Sequence, residues 1–295
     1  MKSLAFHSGF SAGDARRERL YPLFETVFRI PVDTLRDFHA RGFWNPTYRF
    51  YTFYDGERAV ANTSFFSKPL FIQGTRREAA GIQSVMTHPD YRGAGLMKRL
   101  FVRMLEEIDS EWETALLFTA TPDLYRRFGF REVRQHYAVA PIRHVPKQEN
   151  RLARKWDFFA DDDVQRARML FQRHTPVSRL FAPLSHWSSF FLHMYNPAFQ
   201  QKAFFIDDLN LLVVWETKGE TLHLYDVIGE SLPPVEELCS RLPAPVSRIA
   251  VHFHPDRFDL AGWEPVALET RAWLMARGRF ELERECFMLP VTASF

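Results

Sequence analysis

The chain is poor in cysteine, with only Cys239 and Cys286 among 295 residues, no C-x-x-C pair and no Cys/His spacing of a zinc site. A disulfide scaffold is thereby excluded, and a reducing compartment fits. No apolar run approaches the roughly 20 residues of a membrane span, and residues 1–7 lack the apolar stretch of a signal peptide. A cytoplasmic protein with no membrane partner is expected. Net charge is also scant. The 38 Lys and Arg against 36 Asp and Glu leave +2, too little for a nucleic-acid groove, so no nucleic-acid partner is expected. Two phosphate loops are missing as well: there is no G-x-x-x-x-G-K-[ST], and no G-x-G-x-x-G with an acidic residue about 20 positions on. ATPase and dinucleotide-binding readings lose their support.

Phenylalanine is in excess, at 29 residues, and many lie where strands are expected, which makes them packing residues first. With 46% hydrophobic and 25% charged residues, the chain has the apolar surface for two cores, and its length suggests two domains. The halves differ in charge. Residues 1–150 hold 22 Lys/Arg against 17 Asp/Glu, and residues 151–295 hold 16 against 19, so an anionic ligand is expected to favour the first half.

Period and punctuation predict helices over 16–28 and 32–40, separated by Pro31. Strands over 49–54 and 58–66 flank Asp55-Gly56, a strong hairpin signal. Further strands are expected near 68–74, 79–87, 115–119 and 130–140, with a short helix over 122–128. From Leu96 the apolar residues Leu96, Leu100, Phe101, Met104, Leu105 and Ile108 fall on one helical face. Residues 141–156, with two prolines and five Lys/Arg, mark a boundary, giving domains 1–145 and 146–295. Beyond it the pattern predicts a helix over 162–173, strands over 203–206, 211–216 and 221–227, a helix over 234–242, and strands near 248–254, 271–275 and 286–289.

Residues 84–100, SVMTHPDYRGAGLMKRL, carry the most chemistry. A strand runs into Arg92-Gly93-Ala94-Gly95-Leu96-Met97 and a helix starts at once. Paired glycines allow a tight turn, and the first helical amides lack internal partners. With the helix dipole, that is a cradle for a pyrophosphate, to which Lys98, Arg99 and Arg103 add positive charge. The same pattern also suits a plain strand-to-helix turn with surface cations.

The run from His88 to Gly95 between strand and helix resembles the acetyl-CoA loop of the GNAT superfamily of N-acetyltransferases, whose usual pattern is Arg/Gln-x-x-Gly-x-Gly/Ala. Arg92 and Gly95 match, and Met97 replaces the small third residue, as in the enhanced-intracellular-survival (Eis-like) type. Tyr125-Arg126-Arg127-Phe128-Gly129-Phe130 is similar to the family's Tyr-x-x-x-Gly-Phe element. The resemblance covers about residues 20–140. It implies an α/β (α+β) fold with a mixed, mostly antiparallel central sheet, followed by a second, degenerate GNAT-like domain. It also implies acetyl-CoA as acyl-donor substrate, with no metal. Val85, Met86 and Thr87 would then lend backbone groups to the pantetheine arm, the amides of Arg92, Gly93, Ala94, Gly95, Leu96 and Met97 would hold the pyrophosphate, and Tyr125 would be the general acid. Arg126, Arg127 and Arg131 would be placed to reach the nucleotide 3′-phosphate.

For the base, the sequence offers Glu25, Asp33, Asp37, His39 and His88, each also suited to a surface or capping role. Phe43 and Trp44 could line the acceptor side or the core. The strand near 248–254 is followed by Pro255-Asp256-Arg257-Phe258-Asp259 without paired glycines, so the second half is expected not to bind coenzyme A. Eis-like proteins carry an additional C-terminal domain for which 295 residues leave no room. In that group a C-terminal carboxylate has been assigned a base role, and this sequence also ends in an aromatic, Phe295. His252 and His254 form an H-x-H whose side chains would share one strand face, a two-ligand metal pair at most, and ordinary strand histidines are the favoured reading.

The expected activity is acetyl transfer to a primary amine of a small molecule or peptide. The rival is a non-catalytic acyl-CoA-binding or regulatory protein on the same scaffold, and a third reading, aminoacyl transfer from tRNA, has only the weak support of the basic first half. A Phe-rich surface is compatible with a homo-oligomer.

Overall fold

The computed structural model describes residues 4–10, 13, 15–143, 148 and 151–295. Residues 1–3 of the N-terminus, and residues 144–147, 149 and 150 of the expected boundary, lie outside the described residues.

In chain order the first part comprises β1 (Ala5–Phe10), a 3-10 turn (Ala15–Leu20), α1 (Tyr21–Phe28), α2 (Val32–Ala40), β2 (Arg49–Asp55), β3 (Arg58–Ile72), β4 (Thr75–Thr87), α3 (Leu96–Glu111), β5 (Thr114–Thr119), α4 (Asp123–Arg126), β6 (Arg131–Val133) and β7 (His136–Pro141). There follow β8 (Arg154–Lys155), α5 (Asp161–Gln172), β9 (Phe181–Pro183), α6 (Trp187–His193), α7 (Pro197–Gln200), β10 (Ala203–Ile206), β11 (Leu211–Lys218), β12 (Thr221–Ile228), α8 (Val235–Cys239), β13 (Arg248–Val251), β14 (Glu264–Ala267), β15 (Trp273–Gly278) and a final 3-10 turn (Val291–Ala293).

The strands form two mixed sheets. One runs β1-β2-β3-β4-β5-β15-β6 with β9 on β3, and the other runs β14-β7-β13-β12-β11-β10-β8. Each has one parallel pair joined through a helix: β4 and β5 through α3, and β12 and β13 through α8. The second sheet thus repeats the plan of the first. The chain also crosses between them. β7 pairs with β13 in the second sheet, while β15 returns to lie between β5 and β6 in the first, so each sheet contains strands from both sides of 145/146.

Three expectations need correction. The strands expected over 58–66 and 68–74 are one strand, β3, running through Pro69. Proline is tolerated there because Pro69 lies just beyond the ladder with β9, which begins at Leu70: its carbonyl accepts from the Leu184 amide at 2.9 Å, and no partner needs the donor that proline lacks. The strand expected over 130–140 is two, β6 and β7, in different sheets. No strand forms over 286–289; the Leu289 amide instead donates to Gln135 Oε1 at 3.0 Å and the Phe287 carbonyl accepts from the His136 amide at 2.7 Å.

All six apolar residues of the α3 stripe are buried against the first sheet, beside Phe53, Phe65 and Tyr125. Truncating one of its leucines to alanine should cost about 2–5 kcal/mol. A second aromatic cluster joins the halves. Phe43 is fully buried and stacks on Phe191 of α6 with ring centroids 4.1 Å apart.

Candidate active site

β4 and β5 are paired only over Ala80–Ile82 and Ala115–Leu117. Beyond those residues the strands part, and both free ends face one cavity of about 830 Å³. A bulge shapes the β4 side. Register against β3 shifts between Asn62 and Ser64, and Ser84 has φ of 56°, a left-handed conformation that costs a non-glycine residue of order 1–3 kcal/mol. The buried Asn62 holds it in place, donating to Ser84 O at 2.8 Å and Ser64 Oγ at 2.9 Å while accepting from Thr52 Oγ1 at 2.7 Å. The bulge turns the backbone of residues 83–87 toward the cavity, on a strand whose neighbour has moved away.

At the end of β4, His88 caps a short turn, its Nδ1 accepting from the Asp90 amide at 3.2 Å while Nε2 faces Arg58. Gly93 and Gly95 follow at φ of 78° and 70°. A Cβ on either would meet no protein atom within 4 Å, so the loop needs glycine for its backbone and keeps its outer face open. Gly95 precedes α3, the Arg99 amide donates to Gly95 O at 3.2 Å, and the amides just before it have no partner within the helix. Arg92, Lys98 and Arg127 line this end of the cavity. A pyrophosphate fits what is present: open space, orphan amides, a helix dipole and three cations.

Of the residues singled out in the sequence, Val85, Thr87, Arg92 and Gly93 line the cavity, as do Gly95, Leu96, Met97 and Tyr125. The Met86 side chain is turned into the core beneath α1, and Ala94 is absent from the lining. The other cations are engaged elsewhere. Arg99 lies over the Phe53 ring at 4.5 Å and Arg103 over Phe6 at 4.4 Å. Arg126 pairs with Asp123 and Glu132, while Arg131 binds Glu283 and the carbonyls of Gly278 and Phe280.

Tyr125 is buried between Phe101 and Phe130, with ring centroids 5.5 and 6.3 Å away. Burial pushes its hydroxyl up to about 12, against a smaller opposing effect of a hydrogen bond with Thr119. It keeps its proton at neutral pH.

At the far end the wall is built by α1, α2 and Trp44, by Phe295, which the sequence reading raised only through the resemblance, and by Ser188, Ser189 and Leu192 of α6, which it did not connect to the site. The Phe295 ring meets Phe66 and Phe118 edge-on, with centroids 5.2 and 5.6 Å away. Phe43 is core, as its stacking on Phe191 requires. None of Glu25, Asp33, Asp37, His39 and His88 is in the lining. Glu25 accepts from the Val32 amide, Asp33 pairs with Arg36, and Asp37 accepts from the Tyr195 hydroxyl. No local signal in the sequence could have brought Phe295 to β4, 200 residues away.

The second sheet has no matching loop. Its crossover is the connection from Ile228 to α8, a helix of five residues capped by Pro234, rather than the segment after β13 singled out in the sequence. His252 and His254 do not converge. His252 Nε2 lies 3.1 Å from His223 Nδ1, and His254 Nδ1 lies 2.8 Å from Cys286 O. Among the described residues no three His, Cys, Asp or Glu are grouped to hold a metal, and no helix is long and apolar enough to cross a membrane.

Residues 11–133 match the acetyltransferase (GNAT) domain family. Among solved structures, Eis1 from Mycobacterium abscessus is similar at 14% identity and a TM-score of 0.58, over 93% of this chain and 73% of that one. A conserved protein from Enterococcus faecalis, described as a probable N-acyltransferase, is similar at 14% identity and 0.57, over 94% and 73%. A GCN5-related N-acetyltransferase from Anabaena variabilis is similar at 16% identity and 0.53, over 92% and 72%. No curated protein matches by sequence. At these identities the structural likeness is one of fold, while the family match supports acyl transfer as the general chemistry. Residues 11–133 thus match the GNAT acetyltransferase domain family, within a two-sheet α/β chain that is similar in fold to Eis1 and other proteins described as N-acetyltransferases.

Proposed function

We propose that the protein is an acetyl-CoA-dependent N-acetyltransferase acting on a primary amine, with residues 1–145 as the domain that binds the donor and residues 146–295 as a degenerate GNAT-like partner. The supporting observation is convergence: the bulged end of β4, the glycine loop before α3 and the protonated Tyr125 all border one cavity.

In this reading the amides of residues 92–97 hold the donor's pyrophosphate, Arg127 faces its 3′-phosphate, and the freed backbone of Val85, Met86 and Thr87 aligns the pantetheine arm. An amide in that stretch donates to the oxygen that gains charge as the amine nitrogen bonds to the thioester carbon. The C–S bond then breaks and Tyr125 gives its hydroxyl proton to the departing thiolate. The proton lost by the amine restores the tyrosine through solvent. Holding both substrates across the splayed strands supplies much of the rate.

One observation favours the rival, a non-catalytic acyl-CoA-binding protein: among the described residues, no Asp, Glu or His lines the cavity. Tyr125→Phe separates the two. For the enzyme, kcat should fall about 10²- to 10⁴-fold with donor affinity unchanged. Equal turnover in Tyr125→Phe and wild type removes the acid role, and no turnover in either, with binding intact, establishes the rival.

A further inference from the structure

The bend in β4 is held by a buried amide whose partners fix its direction. Asn62 is fully buried within β3, opposite its register partner Thr52 on β2. An amide there has given up its water, and the loss is offset only when its hydrogens and its oxygen find partners. They do: Oδ1 accepts from Thr52 Oγ1 at 2.7 Å, and Nδ2 donates to Ser64 Oγ at 2.9 Å and to Ser84 O at 2.8 Å. Thr52 thereby helps to set which way the amide lies. With the oxygen committed to the threonine, the nitrogen faces Ser84, whose carbonyl can only accept.

The consequence lies one peptide bond further on. The peptide joining Ser84 to Val85 is trans and planar, so a carbonyl fastened toward β3 sends the Val85 N–H the opposite way. That is the side of β5, which pairs with β4 no further than Ile82, and Ser84 and Val85 both line the cavity. Neither has a partner in the register with β3. Ser84, at φ of 56°, supplies the bend, and Asn62 supplies the aim. We propose that Asn62, oriented by Thr52, is a positioning residue that points the Val85 amide at the thioester oxygen of the donor. The inference rests on the N-acetyltransferase reading, through its donor, and names two side chains that do not line the cavity. An apolar side chain at residue 62 would leave the Ser84 carbonyl unpaired and its peptide plane free to turn. A donor aimed in advance needs no reorganisation when charge develops on the oxygen.

The test needs no acceptor amine. The full chain as wild type, Asn62→Leu, Thr52→Val and Thr52→Ser is loaded with acetyl-CoA isotopically labelled at the thioester carbonyl, and the carbonyl stretch is read by infrared difference spectroscopy against the same compound in solution. Calorimetry gives each affinity, and thermal melts show that each protein is folded. In the wild type the stretch should lie below its solution value, because a hydrogen bond to the oxygen weakens the C=O bond. That lowering should vanish in Asn62→Leu and shrink in Thr52→Val. It should persist in Thr52→Ser, which keeps the hydroxyl and loses a methyl group, whereas a role in packing alone would leave the stretch the same in all four. Affinity should change by no more than about tenfold, the most that one neutral hydrogen bond is worth. A lowering that survives undiminished in Asn62→Leu or in Thr52→Val overturns the positioning role; should Asn62→Leu not fold, the two Thr52 variants decide. A wild type that binds acetyl-CoA without any lowering overturns the role too, and leaves donor binding standing. Failure of the wild type to bind acetyl-CoA overturns the donor reading and this inference with it.

Discussion

Lys68 Nζ donates a 2.9 Å hydrogen bond to the carbonyl oxygen of Ala293, across 225 residues of sequence, with both residues fully buried. This bond fastens the last turn to β3 beneath the cavity. Two other side chains fasten the same turn: Asp226 accepts from Thr292 Oγ1, and His193 Nε2 lies 2.9 Å from Ser294 Oγ. Phe295 reaches the cavity because of these ties.

The burial of Lys68 lowers its ammonium to about 7 from 10.5. Between those values the unfolded chain carries a proton that the folded chain does not, so stability should rise with pH across that window. Lys68→Met, of similar length and without the charge, should flatten the rise. Urea unfolding of both proteins at intervals from pH 7 to 9.5 checks this, and equal slopes would contradict it.

Acid should act through two buried imidazoles. Burial holds His174 down to about 4 and His252 to about 3, against 6.5 when exposed. As pH falls below 6.5 the unfolded chain takes up protons that the folded chain refuses, and stability declines until those lower values are passed. A loss on the order of 3 kcal/mol for His174 is expected, and His174→Phe should reduce the decline between pH 6.5 and 4.5, read as a smaller shift of the urea midpoint.

Gly95→Ala tests the loop. The left-handed backbone at residue 95 costs an alanine roughly 1–2 kcal/mol, and its methyl enters the space left open for the donor. Acetyl-CoA affinity should drop by about tenfold or more. Gly262→Ala provides the control, since Gly262 has φ of 66° and equally open surroundings, away from the cavity: comparable strain with unchanged affinity is expected. Equal affinities for all three proteins would detach the loop from donor binding.

The strand, loop and helix proposed to hold the donor were legible because their pattern is local. Strand, glycine pair and helix are consecutive in residues 84–100, and the stripe from Leu96 to Ile108 has a helical period that packing does not alter. Tyr125 was singled out by the resemblance of residues 125–130 to a family element, and it lines the same cavity. On the far wall, the α6 residues were not legible, because no periodicity says which wall or sheet a distant segment joins. β15 illustrates this: the segment was expected as a strand, but its place between β5 and β6 depends on Leu274 and Ala276 packing with Leu116 and Val133. The break expected between 66 and 68 was wrong for a different reason, since nothing local to residue 67 shows that β3 runs on along β4. Arg126 and Arg131 matched the expected charge, and their ion pairs with Glu132 and Glu283 could not be read from spacing.

The central claim is that this cavity receives acetyl-CoA, and a thermal-shift titration with acetyl-CoA, coenzyme A and ATP tests it most directly. At about 100 times its Kd a ligand adds roughly 2.7 kcal/mol of stability. The account predicts a clear rise in Tm with both coenzyme A species, retained in Tyr125→Phe and absent with ATP. No rise with saturating acetyl-CoA, or an equal rise with ATP, would contradict it.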